Sequence, residues 1–400
     1  MDTDVKKISR IDLFVPPKGQ YGVLHHFTKQ LAAGLTHHGV RCRLLEAQKN
    51  EPGAFVDTIL SDPPQCTLSF NGLLPDAGGH FFCDLIHIPH VAFLIDPPTC
   101  FLSLTKSAYT IISCADRYWL DFFQTSQFPH VLFVPHGVDK TLLAPPEQKR
   151  LFEVLMLSSF NDYEGIYHSW KKSYGAHFSK SLEEAAETAL TDKNYSFLNA
   201  LIQAIDQQSK HRDGLDPSKL DVISLLDQFE TYIKAKDRLH LIQGITEARI
   251  DIFGSSGSPH KNWKSYFKNQ PNVTAHDSIP FDQACAYMQE SKIVLNSCPT
   301  IKYGAHERVL AGLACGALVV ANDNVYQENR FGKHAGILHY RYGHFAEINA
   351  QINRYLADEP LRQKEVKKGQ KILLKEHTWD SRAAQLLEEL PAILENIRKH

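Results

Sequence analysis

The chain has 400 residues, of which 43% are hydrophobic and 22% are charged, so it can bury two ordinary domain cores and shows no compositional sign of bulk disorder. Its formal net charge of −2 at pH 7 removes any global electrostatic argument for nucleic acid or an anionic membrane as the principal partner. No apolar stretch approaches the roughly 20 residues of a membrane-spanning helix, and the first ten residues lack the apolar core of a signal peptide. We therefore expect a cytoplasmic protein of two domains.

Eight cysteines are scattered along the chain without any C-x-x-C pair. Most of them stand in apolar runs, which favours buried, reduced thiols over a zinc site or a disulfide framework.

Short apolar runs alternate with helical patterns along the first part of the chain, as they do in parallel βαβ units. Residues 11–15 are predicted as a strand, 16–22 as a glycine-bearing loop, and 25–38 as a helix that Gly39 ends. Further strands are predicted at 40–45, 67–70, 91–95, 110–113 and 131–134. Turn-forming or polar residues follow the last four of these strands, and ligands of open parallel sheets lie at such carboxyl ends. We therefore expect one crevice there.

A proline-bearing link, LLAPPEQKR, predicts a boundary between domains at 1–145 and 146–375. Residues 163–243 are more polar and mostly helical in pattern, which indicates an insertion that covers a sheet face or extends a groove. Strand patterns resume at 248–253, 273–275, 293–295, 318–321 and 337–340. The last segment, 376–400, is predicted as a helix that packs back toward the first domain.

The segment 291–324 carries the strongest signal of a binding site. Its strand is followed by a loop and a first helical turn that hold six polar or turn-forming residues: Lys302, Tyr303, Gly304, His306, Glu307 and Arg308. The free N–H groups of a first turn, the positive end of the helix dipole and the adjacent cations Lys302 and Arg308 suit a diphosphate.

Two open α/β domains, with a glycine loop in the first and a phosphate-suited helix in the second, resemble the GT-B glycosyltransferases. The stretches that carry the resemblance are YGVLHHFTKQLAAGLTHHGV, VLFVPHGVD, IDIFGSSGS and HERVLAGLACGALVVANDN followed by HTWDSR. They are most similar to the group-1-like branch with a spore-protein-type C-terminal glycosyltransferase domain. The resemblance covers most of the chain and implies two Rossmann-like parallel-sheet domains, with a site in the cleft between them.

The resemblance also implies a reaction. A sugar would pass from a nucleotide-diphosphate sugar, the co-substrate, to an acceptor that could be a glycan, a lipid, a protein or a small molecule. Retention of configuration is expected by resemblance, as is catalysis without a metal or a tightly bound cofactor. The only D-x-D match, at 2–4, stands at the chain terminus.

Donor binding is expected from residues of both domains: Gly22, Gly254, Ser255, Lys302, Tyr303, Gly304, His306, Arg308, Asn322, Asp323 and Asn324. Lys302 and Arg308 are the first candidates for diphosphate binding, whereas Lys261 is more typical of a solvated surface lysine. The run 322–324 could bind sugar or ribose hydroxyls, or could equally form an Asx turn.

Three residues are candidates for catalysis: Glu307, His25 and Asp96. Typical group-1 retaining enzymes carry two glutamates eight residues apart, and alignment on the Ala-Cys-Gly turn puts Tyr303 and Ala311 at those places. Glu307 precedes Ala311 by four residues on the same helix face and could supply the missing carboxylate, or could serve only as a partner of the helix dipole. His25 could be a base or a polar cap, and Asp96 a base or a turn-former.

Two alternatives stay open at this point. The absence of the usual glutamates would also fit a catalytically silent GT-B binding protein, and the architecture is shared with nucleotide-sugar epimerases. A phosphorylase of the same architecture would need a lysine for pyridoxal phosphate, and no residue of the sequence is identified with that role.

Overall fold

The computed structural model describes residues 7–16, 22–46, 54–143, 148–210, 216, 219–255, 258 and 260–399. The chain divides into two compact units, one made of Met1–Asp139 with Lys375–His400 and the other of Lys140–Leu374. Most of the predicted glycine loop, part of the proline-bearing link and the D-x-D match lie outside the described residues.

Each unit is built on a six-stranded parallel sheet. The first contains β1 (Arg10–Val15), β2 (Arg41–Glu46), β3 (Cys66–Phe70), β4 (His90–Leu94), β5 (Thr110–Cys114) and β6 (Val131–Phe133), in the order β2-β1-β3-β4-β5-β6. The second contains β7 (Phe152–Leu157), β8 (Ile250–Phe253), β9 (Val273–His276), β10 (Ser291–Asn296), β11 (Leu318–Asn322) and β12 (Ile337–Tyr340), in the order β12-β11-β10-β7-β8-β9. The predicted pair of Rossmann-like sheets is confirmed.

Helices connect and cover these strands. In the first half they are α1 (Val23–His37), α2 (Ala54–Ser61), α3 (Phe82–Ile86) and α4 (Arg117–Thr125). The second half adds α5 (Tyr163–Thr191), α6 (Phe197–Ser209), α7 (Val222–Gly244), α8 (Trp263–Tyr266), α9 (Phe281–Gln289), α10 (Glu307–Ala314), α11 (Val325–Phe331), α12 (Phe345–Ala357), α13 (Glu359–Glu376) and α14 (Trp379–Lys399). Short 3-10 helices stand at Pro98–Lys106 and Lys140–Leu142. No helix among the described residues is long and apolar enough to cross a bilayer.

The central strands explain why the sequence selects this layered fold. All five residues of β3, of β4 and of β5 are buried, so both faces of the sheet are covered. Parallel sheets covered on both faces read as continuous apolar runs, which is the pattern that the sequence shows.

Helix α14 completes the first unit. Trp379, at its start, is 2% exposed and packs against the rings of Phe27, Phe70 and Phe93. A Cβ added to Gly34 would lie 2.9 Å from the Trp379 carbonyl oxygen, so the absence of a side chain at Gly34 lets α14 approach α1 closely.

The helical segment between β7 and β8 consists of α5, α6 and α7. Helix α5 is kinked at Gly175, which has a φ of 82°. Helix α7 is buried along much of its length, including the charged residues Asp237 and Arg238. A run of buried charges on a helix that also buries leucines indicates specific partners inside the unit.

The loop after β8 depends on a glycine. A Cβ built on Gly254 would lie 1.7 Å from the carbonyl oxygen of Ser158, the residue that follows β7. The two strand ends can therefore cross this closely only if residue 254 has no side chain.

We predict that Gly254→Ala lowers the free energy of unfolding by about 2–4 kcal/mol, because the backbone of one strand end must move. Urea or thermal unfolding measures the loss. Gly78→Ala is the matched control, since its added Cβ would meet only side-chain atoms of an exposed segment, the imidazole of His80 at 2.9 Å and Oδ1 of Asp76 at 3.3 Å. Equal stability of the two variants would contradict the close crossing.

Candidate functional site

The second sheet reverses its strand order between β7 and β10, since β8 and β9 follow β7 on one side and β10 lies on the other. Ligands of open α/β sheets bind outside the carboxyl ends of the strands at such a reversal. Helix α10 begins at Glu307, in the connection that follows β10. Its free N–H groups and the positive end of its dipole therefore lie at the place where the topology favours a ligand.

The first turn of α10 is a single hydrogen-bonded group. His306 is the N-cap, and its Nδ1 accepts from the backbone N–H of Arg308 at 3.3 Å. The same Nδ1 lies 2.8 Å from Oε2 of Glu307. Burial lowers the pKa of His306, and the neighbouring Glu307 carboxylate opposes that effect.

Arg308 ties the start of α10 to the end of β7. Its Nη1 donates to the carbonyl oxygen of Leu157 at 2.6 Å, its Nε donates to Oε1 of Glu307 at 3.2 Å, and its Nη2 lies 3.3 Å from Nε2 of His306. The contacts with Leu157 and Glu307 use two of the five N–H donors of the guanidinium, so others remain for a ligand. The side chain is 27% exposed, and a ligand can therefore reach it.

A second arginine lies at the same strand end, and the sequence patterns did not single it out. Arg238, on α7, is 7% exposed and donates from Nη1 to the carbonyl oxygen of Ser159 at 2.5 Å. Its Nε is buried and has no hydrogen-bond partner among the described residues. We refer to Arg238 and Arg308 as the arginine pair.

The arginine pair is electrostatically strained. Burial, and then the nearby charge of Arg308, lower the pKa of Arg238 to about 10. A buried guanidinium is costly unless an anion compensates it, and guanidinium is the side chain best shaped to bind phosphate oxygens in two places at once. An anion at the start of α10 would relieve the repulsion and would accept from the orphaned Nε.

Lys234 adds a third cation on the same face of α7, four residues before Arg238. It forms an ion pair with Glu230, and its side chain is 26% exposed. Burial opposes its protonation, but the Glu230 carboxylate outweighs that effect, so that the pKa of Lys234 is raised.

The position of Lys302 disagrees with the predicted diphosphate contact. The residue is only 5% exposed, and its Nζ donates to the carbonyl oxygens of Ala189 and Asp192 at 2.5 Å each. Carbonyl oxygens at the end of a helix have no intrahelical partner and attract cations. Lys302 therefore closes the carboxyl end of α5, and these contacts argue against the diphosphate contact that the sequence predicts.

Asn322 is also engaged in the interior. Its Nδ2 donates to Oδ2 of Asp237 at 2.9 Å, and its Oδ1 accepts from the backbone N–H of Cys298 at 2.7 Å. The same Oδ2 of Asp237 accepts from Ser297 and Tyr340, each at 2.6 Å. Asn322 thus has its main hydrogen bonds inside the protein, although it also lines the cavity described below, and its role toward a sugar hydroxyl stays a prediction.

Asn324 is the N-cap of α11, a local structural role like the Asx turn that the sequence left open as an alternative. It is 2% exposed, caps α11 by accepting from the N–H of Gln327 at 2.9 Å, and donates to the carbonyl oxygens of Ile301 and Gly304. Its amide, like the Gly304 carbonyl, is used to hold the loop in shape. These contacts therefore argue against a donor-binding role for this side chain.

Asp323 lines a cavity, as do Asn322 and Lys302. Its Oδ2 accepts from Nε of Arg341 at 3.0 Å. The cavity has a volume of about 290 Å³ and lies at the carboxyl ends of β11 and β12, with the end of α5 forming one wall. The predicted role of Asp323 toward a ligand hydroxyl stays a prediction.

The remaining candidates of the second unit lie in loops. The hydroxyl of Tyr303 donates to the carbonyl oxygen of Asn194 at 3.2 Å. Oγ of Ser255 lies 3.0 Å from Oγ of Ser159, next to the carbonyl group that Arg238 contacts. Nζ of Lys261 pairs with Asp162 at 2.9 Å, which agrees with its reading as a surface lysine.

The candidates of the first unit are grouped at the carboxyl ends of its strands. Gly22 precedes α1 with a φ of 80°, and His25 follows in the first turn of that helix. Nδ1 of His25 is buried without a hydrogen-bond partner among the described residues. Asp96 follows β4 as an exposed carboxylate and accepts from Nδ2 of Asn71 at 2.7 Å. The catalytic roles of His25 and Asp96 stay predictions.

Comparison with known proteins agrees with this geometry. Residues 236–388 match a family model described as glycosyl transferase-like. A glycosyltransferase from Rickettsia africae matches over 97% of this chain and 99% of its own, at 10% identity and a TM-score of 0.54. A sucrose-phosphate synthase from Thermosynechococcus elongatus matches over 97% and 100%, at 10% identity and a TM-score of 0.54. HepE of Anabaena, solved with UDP-glucose, matches over 96% and 99%, at 11% identity and a TM-score of 0.54. None of the curated protein sequences matches the chain.

The chain has the GT-B fold, and its residues 236–388 are similar to the glycosyl transferase-like family. Its assignment to the spore-protein-type branch stays a prediction. The matched segment begins at residue 236, within α7, so the family pattern includes Arg238, Glu307 and Arg308.

Two positions at which the resemblance implies glutamates hold Tyr303 and Ala311 in this chain. Ala311 is 5% exposed within α10 and offers no hydrogen bond from its side chain. Glu307 lies one turn nearer the amino end of the helix, and its side chain is 23% exposed. Glu307 thus supplies a carboxylate in the first turn of α10, the position from which the sequence analysis suggested that it could replace the missing glutamates.

The sequence contained one signal for Arg238. Helix α7 reads KAKDRLHLIQ in this region, and the two central charges interrupt a pattern in which Leu239, Leu241 and Ile242 are buried. Charged side chains that are buried beside leucines destabilise a helix unless each of them has a specific partner. Their distance along the chain from α10 concealed the connection.

We predict that Lys302→Met lowers the free energy of unfolding by about 2–3 kcal/mol, because it leaves two carbonyl groups at the end of α5 unpaired. The affinity for UDP should change less than twofold. Thermal unfolding and calorimetry measure the two effects. Lys193→Met is the control, since it removes an exposed ion pair with Glu328 worth about 0–1 kcal/mol. A large loss of UDP affinity without a loss of stability would restore the original assignment of Lys302.

Proposed function

We propose that this protein transfers a sugar from a nucleoside diphosphate sugar to a hydroxyl-bearing acceptor. The observation that carries the proposal is the arginine pair at the start of α10. Arg238 is buried with an unpartnered Nε, and Arg308 lies near enough to lower its pKa. Together with the N–H groups of α10, the pair offers the positive charge that a diphosphate needs.

The chemistry follows from the charge that develops in the reaction. Breaking the bond between the anomeric carbon and the diphosphate leaves additional negative charge on the leaving group. Donors fixed in place before the reaction stabilise that charge without reorganising. Arg308, fixed by Leu157 and Glu307, is such a donor, and its rigid placement favours the transition state over the intact substrate.

Glu307 is proposed to face the donor sugar. Its two oxygens contact His306 and Arg308, so the carboxylate is oriented by neighbours on both sides. A carboxylate held in this way can accept hydrogen bonds from sugar hydroxyls while one lone pair on each oxygen serves its neighbours. Asp323, which lines the cavity at the carboxyl ends of β11 and β12, is proposed as a second acceptor for hydroxyl groups of the donor.

Retention of configuration, catalysis without a metal, and transfer of a hexose remain part of the proposal by resemblance to the family. In a front-side retaining reaction the leaving phosphate accepts the acceptor proton, so no enzyme base is required. In this proposal the side chains of the first turn of α10 hold and orient the donor, and the leaving phosphate accepts the proton of the acceptor hydroxyl.

We predict that Arg238→Met and Arg308→Met each weaken UDP binding at least tenfold, about 1.4 kcal/mol, measured by calorimetry without metal. Methionine keeps much of the buried volume, and replacement of a buried, strained charge by an apolar group is often neutral or stabilising. Each variant also leaves one carbonyl group without its arginine donor, so thermal unfolding should show a smaller loss of stability than in Lys302→Met.

Lys261→Met is the matched control for this pair, because Lys261 is an exposed cation already paired with Asp162. It should leave UDP affinity within about twofold. If both arginine variants also bind UDP as the wild type does, the diphosphate is not held at the start of α10.

We predict that Glu307→Gln lowers kcat of transfer, or of slow donor hydrolysis, at least tenfold and changes UDP affinity less than threefold. The amide keeps one oxygen that can accept from Arg308, but loses the charge that strengthens hydrogen bonds from the sugar. Kinetics with a nucleotide sugar and calorimetry with UDP separate the two effects. Equal losses of turnover and of UDP binding would place Glu307 at the diphosphate instead.

A further inference from the structure

A group of metal-ligating side chains lies in the first unit, where α1 meets α14. His37 is in the last turn of α1, His38 follows it, and Asp380 is in the first turn of α14. One ligand atom from each of the three residues lies within 4.8 Å of the other two. The two helices are far apart in sequence, so the fold brings these three side chains together.

The close approach of the helices positions the group. Gly34 lies three and four residues before His37 and His38, which places all three on one face of α1. A Cβ at Gly34 would lie 3.1 Å from Cα of Asp380, so the glycine allows the start of α14 to lie against this face. Asp380 is thereby delivered beside the two imidazoles.

The distances show what the group lacks. Nδ1 of His37 lies 2.6 Å from Oδ1 of Asp380 and makes a hydrogen bond with it. Nε2 of His38 lies 3.6 Å from the same oxygen, is buried, and has no hydrogen-bond partner among the described residues. One imidazole is thus satisfied by the carboxylate, while the other points at it from beyond hydrogen-bonding distance.

We propose that His37, His38 and Asp380 bind a zinc ion that joins α14 to α1. Zinc takes imidazole nitrogen and carboxylate oxygen at about 2.0–2.2 Å, which puts tetrahedral ligand atoms roughly 3.3 Å apart. The separation of 3.6 Å already agrees with that value, and the shorter one reaches it by a small rotation of the exposed His37 ring. The His38 nitrogen gains a partner, and a water molecule completes the four ligands.

The donor set selects the class of metal. Two imidazoles and one carboxylate suit zinc and its neighbours in the first transition series, whereas magnesium and calcium prefer oxygen ligands alone. The side chain of His37 is 69% exposed and that of Asp380 is 34% exposed, so an ion can enter from solvent. The site belongs to the assembly of the first unit and is independent of the proposed transfer reaction.

The test uses the full chain stripped of metal with a chelator and titrated with zinc in a calorimeter. Cobalt provides a second probe, because a tetrahedral site with nitrogen ligands gives visible d–d absorption bands. We expect one zinc ion per chain, tetrahedral cobalt bands, and a higher Tm with zinc. Zinc affinity should fall at least tenfold in His37→Gln, in His38→Gln and in Asp380→Asn.

His344→Gln is the matched control. Nδ1 of His344 lies 3.3 Å from a carboxylate oxygen of Glu347. This pair offers one exposed imidazole and one carboxylate, but among the described residues it is not part of a group of three metal ligands. Its zinc affinity should equal that of the wild type. Cys100→Ser, which removes the exposed thiol, should also leave zinc binding unchanged.

The proposal is overturned if zinc binds the wild type no more tightly than it binds the double variant His37→Gln, His38→Gln. It is equally overturned if zinc raises the Tm of that double variant as much as that of the wild type. Circular dichroism without metal confirms that the variants fold, so that neither result reflects unfolding.

Discussion

The candidate site of the second unit depends on two guanidinium groups that are held near each other at the end of β7. Arg308 reaches back from α10 to the Leu157 carbonyl, and Arg238 reaches from α7 to the Ser159 carbonyl. Each contact fixes a helix against the strand, but the pair leaves positive charge in a place with little water. Burying like charges destabilises a fold unless an anion binds, so the protein keeps an unfavourable interaction that a diphosphate would relieve.

The helical segment between β7 and β8 builds this part of the molecule. Helix α7 supplies Arg238, and beside it Asp237, whose carboxylate gathers hydrogen bonds from Ser297, Asn322 and Tyr340. Helix α5 presents its carboxyl end to Lys302. Burial raises the pKa of Asp237, and hydrogen bonds to the carboxylate lower it in part. A segment that reads as a cover for the sheet therefore also fixes the loops that surround the site.

Much of the fold was predictable because its signals are local. Buried parallel strands give continuous apolar runs, and the start of α10 gives a polar turn between a strand and a helix, so both were found from the sequence. The roles of Lys302 and Asn324 were not, because the sequence shows a cation or an amide near a helix start but not the carbonyl groups that its atoms reach. Arg238 was missed for the same reason, since its function depends on Arg308, which is distant in the chain and close only after folding.

The central claim is that the start of α10 and the arginine pair hold the diphosphate of a sugar donor. The most direct measurement is calorimetric titration of the wild-type protein, without metal, with UDP, GDP, ADP and dTDP, each beside its nucleoside monophosphate, followed by a donor hydrolysis assay with the matching nucleotide sugars. The account predicts selective binding of one diphosphate, at least tenfold tighter than its monophosphate, and slow hydrolysis of the corresponding sugar donor. Absence of binding across the panel, or equal affinity for monophosphate and diphosphate, would contradict it.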